Sequence, residues 1–186
     1  MSKCRHTQCR KELPKAKDSQ PIEKAGFCSY DHMAQHGIEK ARAAKEKEKR
    51  KELRQAKERV KTKSEHATEA QGAFNAYIRE RDKALPCISC GRHHQGQYHA
   101  GHYRTVGANP ELRFCELNVH KQCAPCNNHK SGNIVEYRIN LVDRIGQKAL
   151  EWLEGPHKSK RYSVDELKAI KAEYRKKLRN MRSRPT

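Results

Sequence analysis

The sequence predicts an α+β fold, mostly helical, held together by cysteine-bearing loops as well as by apolar burial. Three observations lead there. Hydrophobic residues make up 34% of the 186 residues and aromatics 6%, too few for a large core. Charged residues make up another 34%, and one long stretch of Ala, Lys, Glu and Arg runs without Gly or Pro, as a solvated helix does. The eight cysteines fall mostly in close pairs with histidines beside them, which in a reducing compartment points to metal chelation rather than disulfides.

The same composition excludes other classes. No apolar run approaches the roughly 18 residues of a membrane span, and the polar N-terminus lacks the apolar core of a signal peptide. A cytoplasmic protein with no membrane partner is therefore expected. With 41 basic against 22 acidic residues and a formal charge of +19, the chain calls for a polyanionic partner, nucleic acid first and anionic membrane a weaker second.

Residues 1–37 read as a small loop-rich metal knuckle. Cys4, Cys9, Cys28 and His32 have the ligand types and paired layout of a Cys3His zinc site, with His6 and His36 as alternative fourth ligands. Residues 38–64 form a basic helical linker. Between Ile38 and Lys63 there are twelve basic and five acidic residues, and only Leu53 and Val60 are large and apolar after Ile38. That stripe is too narrow to lie against a core, so the helix should be a spacer or a rod that follows a nucleic-acid backbone.

The third region, residues 65–186, has faces to bury. Ala70, Phe74, Tyr77 and Ile78 recur at helical spacing in a helix over about 65–83, closed by Pro86. Short strands are expected around "QYHAGHYR" and "LRFCELNV". Ile134, Arg138, Leu141, Val142 and Ile145 suggest a helix ended by Gly146, and a short helix carrying Trp152 and Leu153 follows. Ser163 with Glu166 three positions on is a capping-box signature, after which Leu167, Ile170, Tyr174, Leu178 and Met181 continue at helical spacing.

Two CxxC pairs, Cys87/Cys90 and Cys123/Cys126, stand 32 residues apart and offer four thiolates to one tetrahedral zinc. Four cysteines close the coordination of such an ion, so any chemistry needs another centre. The remaining polar residues supply candidates: His93, His94, His99 and His102 before the second pair, then Asn118, His120, Asn127 and His129 around it. Hydrolysis of a phosphodiester needs a base for water, a cation on the phosphate and groups that orient both. Arg104, Lys121 and Lys130 are candidate phosphate contacts, and Cys115 reads as a half-buried free thiol.

Asn118-x4-Cys123-x2-Cys126-Asn127-x2-Lys130, with His102 on a preceding strand, resembles the ββα-metal (HNH) nuclease motif embedded in a treble-clef zinc fold. The Asn after the last zinc cysteine is similar to the variant in phage recombination endonuclease VII. The blocks "AFNAYIRERDKALPCISCG", "AGHYRT", "LRF", "N-x-HKQCAPCN-x-HKSGN" and "AIKAEY" resemble the NinG, or Rap, recombination proteins of lambdoid phages, over about residues 73–181 and more loosely at the N-terminal knuckle.

That resemblance implies a structure-specific, metal-dependent endonuclease for branched intermediates such as Holliday junctions and D-loops, encoded by a phage and acting in the host cytoplasm. It implies His102 as general base, Asn118 as the group that holds the catalytic loop, and Asn127 as a ligand of a catalytic Mg2+ or Mn2+. The usual carboxylate before the histidine is Gly101 here. On chemistry alone His99, or His129, could replace it, and imidazole keeps Zn2+ and Ni2+ open for that ion as well.

Basic residues beyond the motif, Arg175, Lys176, Lys177, Arg179, Arg182 and Arg184, suit salt-dependent contacts to DNA backbone. Symmetric junction cutting would suit a homodimer, and recombination would involve phage or host partner proteins. The rival expectation is a non-catalytic zinc protein that binds or anneals nucleic acid, and Gly101 is the residue that favours it.

Overall fold

The computed structural model describes residues 2–9, 11–14 and 19–183. It is α+β and mostly helical, with a two-stranded sheet, and it divides into two units, Met1–Lys61 and Thr62–Thr186. No helix of the described residues is long and apolar enough to cross a membrane.

In the first unit an antiparallel bridge between Lys3 and Glu12 closes the loop that carries Cys4 and Cys9. A short helix, α1 (Pro21–Lys24), starts with proline at its first turn, where the missing N–H has no partner to lose. It leads into Gly26, whose φ of 91° lies in the left-handed region that favours glycine. Ser29 then caps α2 (Tyr30–Arg59) by accepting a 3.2 Å hydrogen bond from the His32 amide. This cap starts the helix at Tyr30 rather than Ile38 and puts His32 in its first turn. α2 buries none of its residues, as its narrow apolar stripe requires.

The second unit begins at a capping box, in which Thr62 and Glu65 satisfy each other's backbone amides and start α3 (Lys63–Arg81). Ala70, Phe74 and Ile78 are fully buried along one face of α3. A second box, Ser163 with Glu166, starts α6 (Val164–Arg182), whose Leu167 and Tyr174 enter the same core. Phe74 meets Tyr174 and Phe114 edge-on, with ring centroids 4.7 and 5.8 Å apart, the geometry that aromatic quadrupoles favour. Ion pairs Lys171–Glu69 and Arg182–Glu80 join α3 and α6 alongside it.

The sheet pairs β1 (Tyr98–His102) antiparallel to β2 (Val119–Cys123), in register from Tyr98 opposite Cys123 to His102 opposite Val119. The second strand therefore begins where the sequence reading expected it to end. Pro110, which has no N–H to give a ladder, opens the segment, and residues 110–118 instead form two 3-10 turns that bury Leu112 and Asn118. Ala100 and Val119 pack on the α3–α6 core, while Gly101 and His120 meet Tyr137 of α4 (Ile134–Ile145). Gly146, with φ 81°, ends α4 and turns the chain into α5 (Gln147–Glu154). Leu141, Leu150 and Leu153 join Ile88, Tyr103, Leu112 and Tyr137 in a second core.

Candidate metal centres and active-site cleft

Cys87, Cys90, Cys123 and Cys126 bring their sulfur atoms within 4.8 Å of one another. Cys90 and Cys123 are 3.9 Å apart, close to the edge of a tetrahedron with Zn–S bonds of about 2.3 Å. The first pair sits in a knuckle closed by the Gly91 amide on the Cys87 carbonyl, with Gly91 at φ 64°. The Ile88 amide bonds the Lys121 carbonyl and ties that knuckle to β2. Cys123 ends β2, and Cys126 lies in the single wide turn Pro125–His129.

Four thiols this close cannot all ionise unaided. Burial, then the neighbouring sulfurs, push Cys126 up to about 12. Burial also raises Cys87, but amides of Cys123, Cys90 and Ser89 outweigh it and hold that thiol below its ordinary value. The set fits Zn2+, whose charge would offset the repulsion and hold four thiolates. His94 approaches Cys90 Sγ at 3.3 Å through Nε2 and stands beside the cluster as a supporting group, while His93 is exposed.

Cys4, Cys9, Cys28 and His32 form a second group with ligand atoms within 4.8 Å of one another. His32 Nδ1 lies 3.0 Å from Cys28 and 3.9 Å from Cys4. The structure thus selects His32 over His6, which stacks on the His32 ring at 4.5 Å, and over His36, which packs near Phe27. Burial raises the Cys4 thiol, yet hydrogen bonds from the His6 and Cys28 backbone and from His32 bring it down to about 7. This donor set also fits Zn2+.

His102 and Asn127 line one cleft of about 330 Å³ with Thr105, Val106, Ser131 and Gly132. His102 Nε2 lies 3.0 Å from the Arg113 carbonyl, an acceptor that fixes the proton on Nε2 and leaves the lone pair on Nδ1. Burial lowers the His102 pKa, the Arg113 carbonyl opposing it, so the ring is neutral at pH 7. Asn118 is fully buried and holds the loop after β1: Oδ1 accepts from the Arg104 amide at 2.8 Å, and Nδ2 donates to the carbonyls of Arg104 and Leu112. Asn127 is half-buried and donates to Asn128 Oδ1. Ser131 and Asn133 hold left-handed conformations on either side of Gly132, at φ 48° and 46°, in the turn that closes this cleft.

The residues proposed for a catalytic ion do not come together. His99 projects from the opposite face of β1 to Ala100 and His102, because successive strand residues alternate. His129 is exposed and is absent from the cleft lining. A Cβ at Gly101 would collide with Gln122 Oε1, whose amide is locked by bonds to Ser89 and Gly132, so no carboxylate fits at that position. The cleft offers Asn127 and His102 and no carboxylate, which is not a ligand set for Mg2+ or Mn2+.

The phosphate-contact candidates also divide. Lys121 is a correction: its Nζ bonds the Lys83 carbonyl at 2.9 Å and lies 4.4 Å from the Tyr98 ring, so the residue is 5% exposed and faces no ligand. Arg104 is half-buried with Nε on Asn109, and Lys130 is exposed. In the basic tail Lys177 pairs with Glu116 and Glu173, and Arg182 with Glu80. Arg175, Lys176 and Arg179 stay exposed, and Arg184 lies outside the described residues. Cys115 is half-buried, outside both clusters.

Three supporting residues gave no sequence signal. Asp82, 2% exposed, accepts from Arg81 and from the Lys121 amide and braces β2 against α3. Tyr137 joins His120 to the Gly101 carbonyl. Arg113 acts on His102 through its backbone carbonyl, which no side-chain pattern can reveal.

The family model described as Bacteriophage Lambda NinG protein matches residues 1–184. "Protein ninG" of Escherichia phage lambda is 54% identical over 124 residues, 67% of this chain and 61% of the relative. The proteins of that name from Salmonella phage P22 and Escherichia phage 933W are 54% and 53% identical over similar spans. The chain covers about three fifths of the length of these curated relatives. No solved structure matches. With nearly its whole length matched by the family model, the chain belongs to the NinG family.

Proposed function

We propose that the second unit is an endonuclease that cleaves branched DNA recombination intermediates, built as an HNH-like ββα core in a treble-clef zinc setting. The observation that supports this most is the His102 ring, anchored through Nε2 with its Nδ1 lone pair available, in one cleft with Asn127. In this reading Nδ1 takes a proton from water as the water oxygen bonds to phosphorus, and the phosphorus–oxygen bond to the leaving strand breaks, its oxygen keeping the bonding pair and taking a proton from solvent. Asn127 would orient the phosphate, and Asn118 keeps the loop that carries Arg104 in place. The cysteine clusters would carry structure only. Branched DNA is the proposed partner, and two copies would deliver paired cuts across a junction.

The described cleft residues do not form a divalent-ion site, so no step is derived through an ion. The absence of a carboxylate there favours a second reading, a zinc protein that binds or anneals DNA without cutting it. One assay separates the two. A labelled four-way junction and matched duplex are incubated with wild type and His102→Ala, in Mg2+, in Mn2+ and in chelator. Cutting by wild type that falls about 10²–10⁴-fold in His102→Ala supports the base role. Binding with no cut under any condition supports the second reading. Because His102 stays neutral below the ordinary imidazole range, cutting should persist as pH falls to about 6.5 and decline only below it.

A further inference from the structure

A second concavity in Thr62–Thr186, about 210 Å³, is lined by Lys63, Pro110, Arg113, Lys160, Arg161 and Tyr162 among others. Four of these side chains are cations. Lys160 is held 3.1 Å from Glu166 and 4.8 Å over the Tyr162 ring, and Arg113 is fixed by a bond from Nε to Gln71. Lys63 and Arg161 are exposed, and among the described residues neither is seen in an ion pair. The lining thus combines two oriented cations with two that reach into solvent, which is unlike a row of solvated lysines on one helix face.

Two helix starts flank the same place. Lys63 is the first residue of α3, and Arg161 and Tyr162 directly precede Ser163, the cap of α6. Glu65 and Glu166 cap these first turns by accepting from the Thr62 and Ser163 amides. Arg113 links this concavity to the proposed catalytic one, since its side chain lines the first and its carbonyl holds His102 in the second.

We infer that this cleft is a second phosphate site, which takes the backbone of a DNA strand other than the one entering the His102 cleft. It rests on the DNA-binding part of the proposed function and not on cutting. The space admits a phosphodiester group but no duplex, so the strand lies across it and presents phosphate to Lys63, Arg113 and Arg161. Tyr162 serves as scaffold: its hydroxyl donates to the Glu111 carbonyl, and Lys160 covers its ring.

The test is fluorescence anisotropy of a labelled forked DNA and a blunt duplex across a salt series. Lys63→Ala/Arg161→Ala is compared with Lys148→Ala/Lys168→Ala, which removes the same charge from exposed positions on α5 and α6. The cleft double should weaken fork binding about tenfold and make the log–log salt slope shallower by about 1, one phosphate's worth, while the control double changes affinity less than about twofold. Equal losses in the two doubles, or an unchanged slope, overturn the site. Fork binding with no cut under any condition would remove the nuclease reading and leave this site standing.

Discussion

At the scale of single residues, Asn118 shows how a polar side chain earns full burial. It satisfies three backbone groups, and truncation to alanine strands the Arg104 amide and the Arg104 and Leu112 carbonyls. Asn118→Ala should therefore cost roughly 3 kcal/mol, at about 1 kcal/mol or more for each buried group left unpaired, measured by urea unfolding with zinc present. His120 makes a pH prediction. Burial, with Arg81 adding to it, lowers its pKa to about 3, so the unfolded chain binds a proton that the folded chain refuses between pH 6.5 and 3. Stability should be full above pH 6.5 and fall by about 2 kcal/mol by pH 5 from this group alone. A His120→Gln variant, followed by thermal unfolding at both pH values, should lose that part of the pH dependence; an unchanged slope would assign the effect elsewhere. His102 has the same sign. The cysteine spacing shows which sulfurs meet, because a CxxC knuckle is local. It gave no warning about Gly101, whose missing side chain is required by Gln122 folding over from the paired strand, nor about Lys121, since charge alone does not say whether an ammonium finds water or a carbonyl.

At the scale of elements, the helices were the readable part. Capping boxes and periodic apolar positions are short-range signals, and α3, α4, α5 and α6 form close to where those signals fall. The second strand is displaced from its expected place because Leu112, Phe114 and Val119 suggest the same apolar-rich segment whether the backbone is extended or turned, and only tertiary burial selects the turns. α2 starts earlier than expected because the Ser29 cap precedes a stretch with no apolar stripe to announce a helix. The Ser163 cap can be weighed directly. It accepts from the Glu166 amide at 3.2 Å, and Glu166 returns a bond to the Ser163 amide at 2.7 Å. Ser163→Ala should destabilise the second unit by about 1 kcal/mol, seen as a lower urea midpoint with unchanged m. A change in m would mean that α6 frays well beyond its first turn.

At the scale of the molecule, sparse apolar content and a charge of +19 limit what hydrophobic burial can supply, so bound metal is expected to carry part of the stability. Among the described residues one four-ligand group lies in each unit, and the two sets share no residue. Each can supply apparent folding free energy on the order of 10 kcal/mol when it takes up Zn2+, more than any single core contact described above. The purified chain should accordingly hold two zinc ions, counted by elemental analysis against protein concentration. Cys126→Ser should remove one of them and melt the sheet, because Cys123 ends β2 and Cys126 follows it by a single turn. His32→Ala should weaken or remove the other, yet leave the thermal transition of the second unit in place. Asn127→Ala should change neither the zinc count nor that transition, since Asn127 lies outside both clusters. Loss of zinc from the Asn127 variant would join the cleft to the metal centre and undo the division between a structural cluster and a separate site for chemistry.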